Sequence, residues 1–165
     1  MVDWDGLVRE HGKVVFGIAW RILGHAQDAE DVAQEVFCQA AAKSNSKPVA
    51  CWPALLRRMA TCRAIDVLRR RRAMFSLDAV DPAVENDGPV AIAVREELQT
   101  RLRLALARLT SREAEVFCLR YFEDLSYRQI AETLGISTSA ASTALHQARM
   151  RLQEVLAEPD EGGVS

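Results

Sequence analysis

The strongest constraint on the fold of this chain is a pair of capped helical segments that meet at one glycine. Ser126 opens the first segment with Gln129 three residues later, the spacing of a capping box. Gly135 ends that segment where a left-handed backbone is needed, and Ser137 caps the next. The apolar positions that recur inward at helical spacing are Ile130, Ala131, Leu134, Ile136, Ala141, Leu145 and Ala148.

This spacing predicts a helix-turn-helix, whose second helix enters the major groove of DNA. An ordinary helical hairpin with a glycine turn is the alternative reading of the same pattern. A further capping box, Thr110 with Glu113, predicts one more helix in front of the motif.

The remainder of the chain predicts an all-α protein of two small helical domains joined by a flexible linker. Apolar residues make up 49% of the 165 residues and aromatic residues only 6%. Helical periodicity covers residues 3–23, 52–72 and 91–109, and a further helix is predicted from Asp28. Residues 43–49 are polar and predict a loop. Residues 74–90 are acidic, contain two prolines and predict the linker.

The net charge of −2 conceals two oppositely charged segments. Residues 57–72 hold seven arginines against the single acid Asp66, which favours a polyanionic partner over a merely solvated helix. Residues 28–35 carry acids and Gln34 with no basic residue among them. A basic protein partner or a solvated surface would each explain that face.

The sequence disfavours a metal site, a disulfide framework, a catalytic site and a secreted or membrane location. Cys38, Cys51, Cys62 and Cys118 are scattered, without metal-ligand spacing, so we expect no metal and no disulfide framework. A phosphate-binding glycine loop, a catalytic triad and a paired-carboxylate pocket are absent from the sequence, so neither an enzyme nor a cofactor is expected. The sequence also has no signal-peptide pattern and no apolar run of membrane-spanning length, which predicts a cytoplasmic protein.

The order of these segments resembles one known family. The segments stand in this order along the chain: DAEDVAQEVF, a polar loop with a Trp after it, ALLRRMATCRAIDVLRRRR, an acidic linker, LTSREAEVFCLRYFEDLSYRQIAETLGIS and LHQARMRL. That order resembles the extracytoplasmic-function sigma factors of bacterial RNA polymerase. The resemblance implies a first domain, residues 1–73, that docks on the polymerase clamp and opens the −10 element. It implies a linker over 74–90, a second domain over 91–158 that reads the −35 element, and a tail over 159–165.

The resemblance also implies roles for individual residues. Those expected to bind polymerase are Asp31, Gln34 and Glu35. Residues 44–48 are expected to be the loop that captures bases of the −10 element. The residues expected to contact this element are Ser44, Asn45, Ser46, Trp52, Arg58, Cys62, Arg63, Arg69 and Arg70. Those expected at the −35 element are Thr138, Ser139, Ser142, Thr143, His146 and Arg149. The implied partners are the clamp and flap of core polymerase, promoter DNA in duplex and single-stranded form, and an anti-sigma factor, with no membrane.

Two departures from the family pattern affect the expected DNA contacts. Many members carry Arg-Asn where this chain has Thr61-Cys62, and many carry Lys or Arg at Ser142 and Ala144. Ser and Ala cannot form the bidentate contact with guanine, so the second domain is expected to bind weakly or to read another sequence. A sigma-like regulator that binds polymerase without initiating, and a free-standing helix-turn-helix regulator, are the alternatives. Cys62 is expected to be an inert thiol, with oxidant sensing as the alternative.

Overall fold

The computed structural model describes residues 1–75 and 90–158, with only the backbone described at Phe75 and at 90–92. Its described part is entirely helical or irregular and contains no strand. The helices are α1 (Trp4–Leu23), α2 (Ala26–Ser46), α3 (Trp52–Phe75), α4 (Val90–Leu106), α5 (Ser111–Tyr121), α6 (Tyr127–Leu134) and α7 (Thr138–Ala157). The prediction of an all-α protein is therefore confirmed. The predicted linker falls mostly on residues outside the described part.

Helices α1, α2 and α3 form the first bundle. Asp3 caps α1 by accepting from the Gly6 amide at 3.0 Å, and Gly24 ends it with φ of 67°. His25 then caps α2, its Nδ1 accepting from the Asp28 amide at 3.4 Å. The largest side chains sealed between the three helices are Val15, Ile18, Ile22, Val32, Val36, Leu56 and Ile65.

Helices α5, α6 and α7 are defined by the predicted local signals. Thr110 with Glu113 and Ser126 with Gln129 both form reciprocal capping boxes. Gly135 adopts φ of 67° at the end of α6, and Ser137 accepts from the Ala140 amide at 3.0 Å to start α7. Ile130, Leu134 and the facing apolar residues of α7 are buried, so the predicted helix-turn-helix is confirmed.

Several predicted boundaries differ from the structure. The loop predicted over 43–49 is wrong in its first half, because α2 continues through Ser46 and the Ser44 hydroxyl donates to the Ala41 carbonyl at 2.8 Å. Helix α3 extends to Phe75 beyond the predicted 72, and α4 ends at Leu106 rather than 109. Helix α2 begins two residues before Asp28 because His25 supplies the cap.

Helix α3 lies at the centre of the molecule. It packs against α1 and α2 in its own bundle and against α4, α5 and α6 of the other. Buried residues of both helical groups therefore form one continuous apolar core. No helix in the part of the chain that the structure describes is long and apolar enough to cross a membrane.

Candidate nucleic-acid and protein-binding surfaces

The outward face of α7 carries the six side chains expected at the −35 element. All six are exposed, while Ala141, Leu145 and Ala148 on the opposite face are fully buried. Those exposed are Thr138, Ser139, Ser142, Thr143, His146 and Arg149. The first turn of α7 therefore presents hydroxyl groups beside its free backbone N–H groups, an arrangement suited to phosphate or base edges.

Ala144 does not belong to that face. Its side chain is 6% exposed and lies in the core, so the expectation that this position faces DNA is wrong. Helical periodicity explains the correction, since Ala144 follows Ala141 by three residues and precedes Ala148 by four, both of them buried.

Arg149 is positioned by Tyr121, which was not among the expected site residues. Its Nε donates to the Tyr121 hydroxyl at 2.6 Å, and its guanidinium carbon lies 5.4 Å from the centre of the Tyr121 ring. Tyr121 in turn stacks on Phe117, with ring centres 4.5 Å apart. Tyr121 and Arg149 are separated by 28 residues and no local pattern joins them.

The basic face of α3 is only partly free. Arg58 and Arg70 are exposed, but Arg63 bonds to Glu35 of α2. Arg69 bonds to the Leu109 carbonyl at 2.6 Å in the second domain. The sequence placed these arginines together on one helix, and the structure divides them between solvent and protein partners.

Two neighbouring cavities lie beside the junction of α2 and α3. The larger measures about 590 Å³ and the smaller about 390 Å³, and Arg58 lines both together with Lys43 and Leu55. Among the other residues expected at the −10 element, Ser46 lines the larger cavity, and Cys62 and Arg63 line the smaller. Lys43 and Lys47 also line the larger cavity. They were not among the expected site residues, although two lysines in a polar segment could have indicated a binding site.

The remaining residues expected at the −10 element lie outside these cavities. Trp52 is half-buried at the start of α3 and makes an edge-to-face contact with Trp4, ring centres 5.4 Å apart. Ser44 and Asn45 lie in the last turn of α2, with Asn45 exposed.

Cys62 faces the second domain. Its thiol donates to Glu115 Oε1 at 3.1 Å. Burial, followed by the hydrogen bond and negative charge of Glu115, raises the pKa of Cys62 to about 12. A thiol with that pKa is almost wholly protonated at neutral pH, which supports the prediction that it is chemically inert.

The acidic face of α2 is turned to solvent at Asp31 and Gln34. The Glu35 side chain is 39% exposed, and its Oε2 accepts from Arg63 Nε at 2.7 Å. Asp28 is likewise paired with Arg71. Residues 28–35 contain no basic residue, but Asp28 and Glu35 are paired because α3 supplies Arg71 and Arg63. Within the described residues, no three His, Cys, Asp or Glu side chains are grouped so as to hold a metal ion.

Comparisons with known protein families identify both halves of the chain. Residues 7–74 match the family model described as Sigma-70 region 2, and residues 99–152 match Sigma-70, region 4.

Among curated proteins, the chain is 30% identical to ECF RNA polymerase sigma factor SigE of Mycolicibacterium smegmatis, over 96% of this chain and 63% of that protein. It therefore spans less than two thirds of that relative. It is 29% identical to ECF RNA polymerase sigma factor SigW of Bacillus subtilis, over 86% and 82% of the two chains. It is 30% identical to ECF RNA polymerase sigma factor SigL of Mycobacterium tuberculosis, over 90% and 88%.

Two solved structures share the fold. CnrH, in complex with the cytosolic domain of CnrY, superposes with a TM-score of 0.59 at 24% identity, over 93% of this chain and 86% of CnrH. The sigma factor RpoE, in complex with the anti-sigma factor NepR from Bartonella quintana, gives a TM-score of 0.54 at 21% identity, over 93% and 96%. At these identities the likeness concerns the fold alone.

Proposed function

The chain belongs to the extracytoplasmic-function sigma factors of the sigma-70 family, and from that membership we propose that it is the promoter-specificity subunit of an RNA polymerase. In this role it binds core polymerase, recognises −35 and −10 promoter elements and initiates transcription of a regulon. The observation that carries the proposal is that the acidic face of α2, at Asp31 and Gln34, and the outward face of α7 are both exposed, one in each of the two helical groups. Residues 1–73 and 91–158 are assigned to these two units.

The acidic face of α2 is the proposed docking surface for the polymerase clamp. Asp31 and Gln34 are exposed, and Glu35 has one carboxylate oxygen bonded to Arg63 while its side chain remains partly accessible. Carboxylates in this arrangement complement a basic surface and steer association. The second domain is proposed to contact the polymerase flap.

Strand capture is assigned to the junction of α2 and α3. The two cavities there have basic linings that include Lys43 and Arg58. Unstacking a base costs a few kcal/mol, and a cavity with cationic walls offsets that cost by holding the base and its phosphates. The proposed order is docking on polymerase, contact with the −35 element, and then strand capture. The protein contributes binding energy and no catalytic group of its own.

Recognition of the −35 element is assigned to α7. Ser142 and Thr143 offer short hydroxyl groups, and His146 and Arg149 extend farther from the helix. Ser142, Thr143 and His146 cannot form the bidentate arginine–guanine contact, so sequence discrimination by this helix is modest. The site of action is the cytoplasm, where polymerase and promoter meet. An anti-sigma factor is proposed as a further partner, as RpoE has in its solved complex.

Run-off transcription tests the proposal. Purified core polymerase with this chain is expected to yield specific transcripts from the upstream regions of its own genome, and core polymerase alone is not. Asp31→Arg should abolish both polymerase binding and the transcripts. Glu154→Arg, a matched charge reversal at an exposed position of α7, should retain them. Specific transcripts that survive Asp31→Arg would contradict the assignment of α2 as the docking surface.

Strand opening separates initiation from simple occupancy of polymerase. A fluorescent base analogue placed in the −10 element is expected to brighten when the complex forms. Normal polymerase binding without brightening would identify instead a regulator that occupies polymerase without initiating. A regulator that acts through the helix-turn-helix alone would bind duplex DNA and be unaffected by Asp31→Arg.

A further inference from the structure

Tyr121, the last residue of α5, holds the side chain of Arg149 on the neighbouring helix α7. Arg149 Nε donates to the Tyr121 hydroxyl at 2.6 Å, and the guanidinium carbon lies 5.4 Å from the centre of the tyrosine ring. The ring is fixed in turn by Phe117, one helical turn earlier in α5, with ring centres 4.5 Å apart. Phe117 is buried and Tyr121 is exposed, so this stack runs from the core to the surface. The orientation of Arg149 is therefore set by α5 as well as by its own helix.

The charge of Arg149 is left for an outside partner. Arg151, two residues farther along α7, forms an ion pair with Glu113, with 3.1 Å between Nε and Oε1. Arg149 pairs with no carboxylate among the residues that the structure describes, and its side chain is exposed. The Tyr121 hydroxyl is neutral and takes only the Nε–H donor. The N–H donors of Nη1 and Nη2 therefore remain available, and they carry a positive charge that no acid neutralises.

Arg149 lies at the edge of the exposed face of α7 rather than at its centre. With 3.6 residues per turn it is rotated by about 60° from His146, towards the side on which Tyr121 lies. It also lies about 16 Å along the helix axis from Thr138, the first residue of α7. In a helix-turn-helix the first residues of the recognition helix contact base edges, while later residues and the neighbouring helix approach the DNA backbone. The position of Arg149 therefore fits a phosphate at the rim of the groove better than a base edge inside it.

We propose that Tyr121 is a positioning residue for DNA binding, which holds Arg149 ready to contact a phosphate of duplex DNA. A two-pronged contact from Nη1 and Nη2 needs the guanidinium in one orientation, and Tyr121 supplies that orientation before DNA arrives. The contact adds affinity that does not depend on base sequence. The inference rests on the proposed function, because it assumes that α7 meets duplex DNA. It adds that Arg149 reads no base, and that Tyr121 strengthens the contact without touching DNA.

Arg149→Gln tests the phosphate contact. The probe is fluorescein-labelled duplex DNA of randomised sequence, about 20 base pairs long, followed by anisotropy with the full chain and without polymerase. Each neutralised phosphate adds about 0.9 to the slope of log affinity against log salt, which is nearly tenfold in affinity at about 0.1 M salt. Arg149→Gln should therefore weaken binding by about tenfold and reduce the slope by about 0.9. Arg9→Gln, which removes an exposed arginine of α1, is the matched control and should leave the slope unchanged.

Tyr121→Phe separates positioning from charge. It removes the hydroxyl that accepts from Arg149 Nε and keeps the ring that stacks on Phe117. Duplex affinity should fall by about threefold, because the guanidinium then has to be ordered on binding. The salt slope should stay at its wild-type value, because the charge remains. Arg149→Lys keeps the charge and loses the planar guanidinium, so it should show the same combination.

The double variant Tyr121→Phe/Arg149→Gln shows whether Tyr121 acts through Arg149. Without the guanidinium the hydroxyl has nothing to hold, so the double variant should bind duplex DNA as Arg149→Gln does, within about twofold. A further loss in the double variant would mean that Tyr121 contacts DNA itself and would overturn its positioning role. Unchanged duplex affinity of Tyr121→Phe, with Arg149→Gln weakened, would overturn that role as well. Nitrogen-15 NMR reports on the bond without DNA, since the Arg149 Nε–H proton should exchange with water faster in Tyr121→Phe than in wild type.

Selection from a library of random duplexes decides between a phosphate and a base. Wild type and Arg149→Gln should recover the same preferred sequences, because a phosphate contact carries no sequence information. A changed preference at one base pair would overturn the proposal and make Arg149 a base-reading residue. Absence of run-off transcripts, with the duplex measurements as expected, would overturn the proposed function alone. Normal transcripts, with the salt slope of Arg149→Gln equal to that of wild type, would overturn the phosphate contact alone.

Discussion

Arg63 Nε donates a 2.7 Å hydrogen bond to Glu35 Oε2, and this ion pair joins the surface assigned to polymerase to the surface assigned to the −10 strand. The two side chains are 20% and 39% exposed, respectively. Arg63 also lines the smaller cavity beside α3, together with Arg58. A basic surface of polymerase that engages Glu35 would therefore compete with Arg63 and release a cation next to the capture site.

Glu35→Gln tests this connection. Because the pair is partly solvated, its loss should lower the free energy of unfolding by less than about 1 kcal/mol. Affinity for core polymerase should nevertheless fall by about tenfold, because charge complementarity at the docking surface is lost. Urea unfolding and anisotropy with core polymerase measure the two effects, and Glu154→Gln on α7 is the control. A large loss of stability with unaltered polymerase affinity would assign Glu35 a structural role instead.

Gly135→Ala should destabilise the helix-turn-helix through the backbone alone. No described atom lies within 4 Å of an added Cβ there, but φ is 67°. The left-handed conformation should therefore cost about 1–2 kcal/mol of unfolding free energy. Gly17→Ala within α1 also has open space and a helical backbone, so it should stabilise by about 0.5–1 kcal/mol. Urea unfolding of both variants provides the comparison, and equal effects of the two would contradict the role assigned to φ.

Arginine substitutions at Ser142 and Ala144 should have opposite consequences. Ser142 is exposed, so Ser142→Arg should leave stability unchanged and add about 1–3 kcal/mol of discrimination for guanine in duplex DNA. Ala144 is buried, so Ala144→Arg should lower the free energy of unfolding by at least about 2 kcal/mol. Urea unfolding measures stability, and duplex libraries selected on the purified protein measure specificity. A stable Ala144→Arg variant would place this residue on the outer face after all.

The thiol of Cys62 should make stability fall at high pH. Its pKa of about 12 in the folded chain exceeds the ordinary value of 9.0, so the folded state holds the proton more tightly than the unfolded state. That contribution is complete below about pH 9 and is lost as pH rises from 9 towards 12. Cys62→Ser keeps a hydroxyl donor for Glu115 but has no proton to lose in this range. Its Tm should fall less steeply above pH 9 than that of wild type, and parallel Tm curves would contradict this account.

Local signals were sufficient for the helix-turn-helix. The capping boxes at Thr110 and Ser126 and the turn at Gly135 each involve residues within a few positions of one another, so the chain's own geometry dictates them. The buried positions Ala141, Leu145 and Ala148 of α7 followed from the helical period for the same reason, whereas the expectation that Ala144 faces DNA came from the family resemblance and was wrong. The end of α2 was misplaced because Ser44, Asn45 and Ser46 are common in both loops and helix ends, and their composition does not decide between them.

The sequence by itself determined the helices, their caps and the faces they bury, because these depend on backbone preferences and on periodicity along one element. The tertiary structure alone decided which partner each arginine meets. Arg63 finds Glu35 across 28 residues, Arg69 finds Leu109 across 40, and Arg21 finds Glu123 across 102. Such pairs form only after the packing of α1, α2, α3 and α5 has brought the helices together. The direction of each arginine is set by that packing and by the solvation its charge loses on burial, neither of which is encoded at any single position.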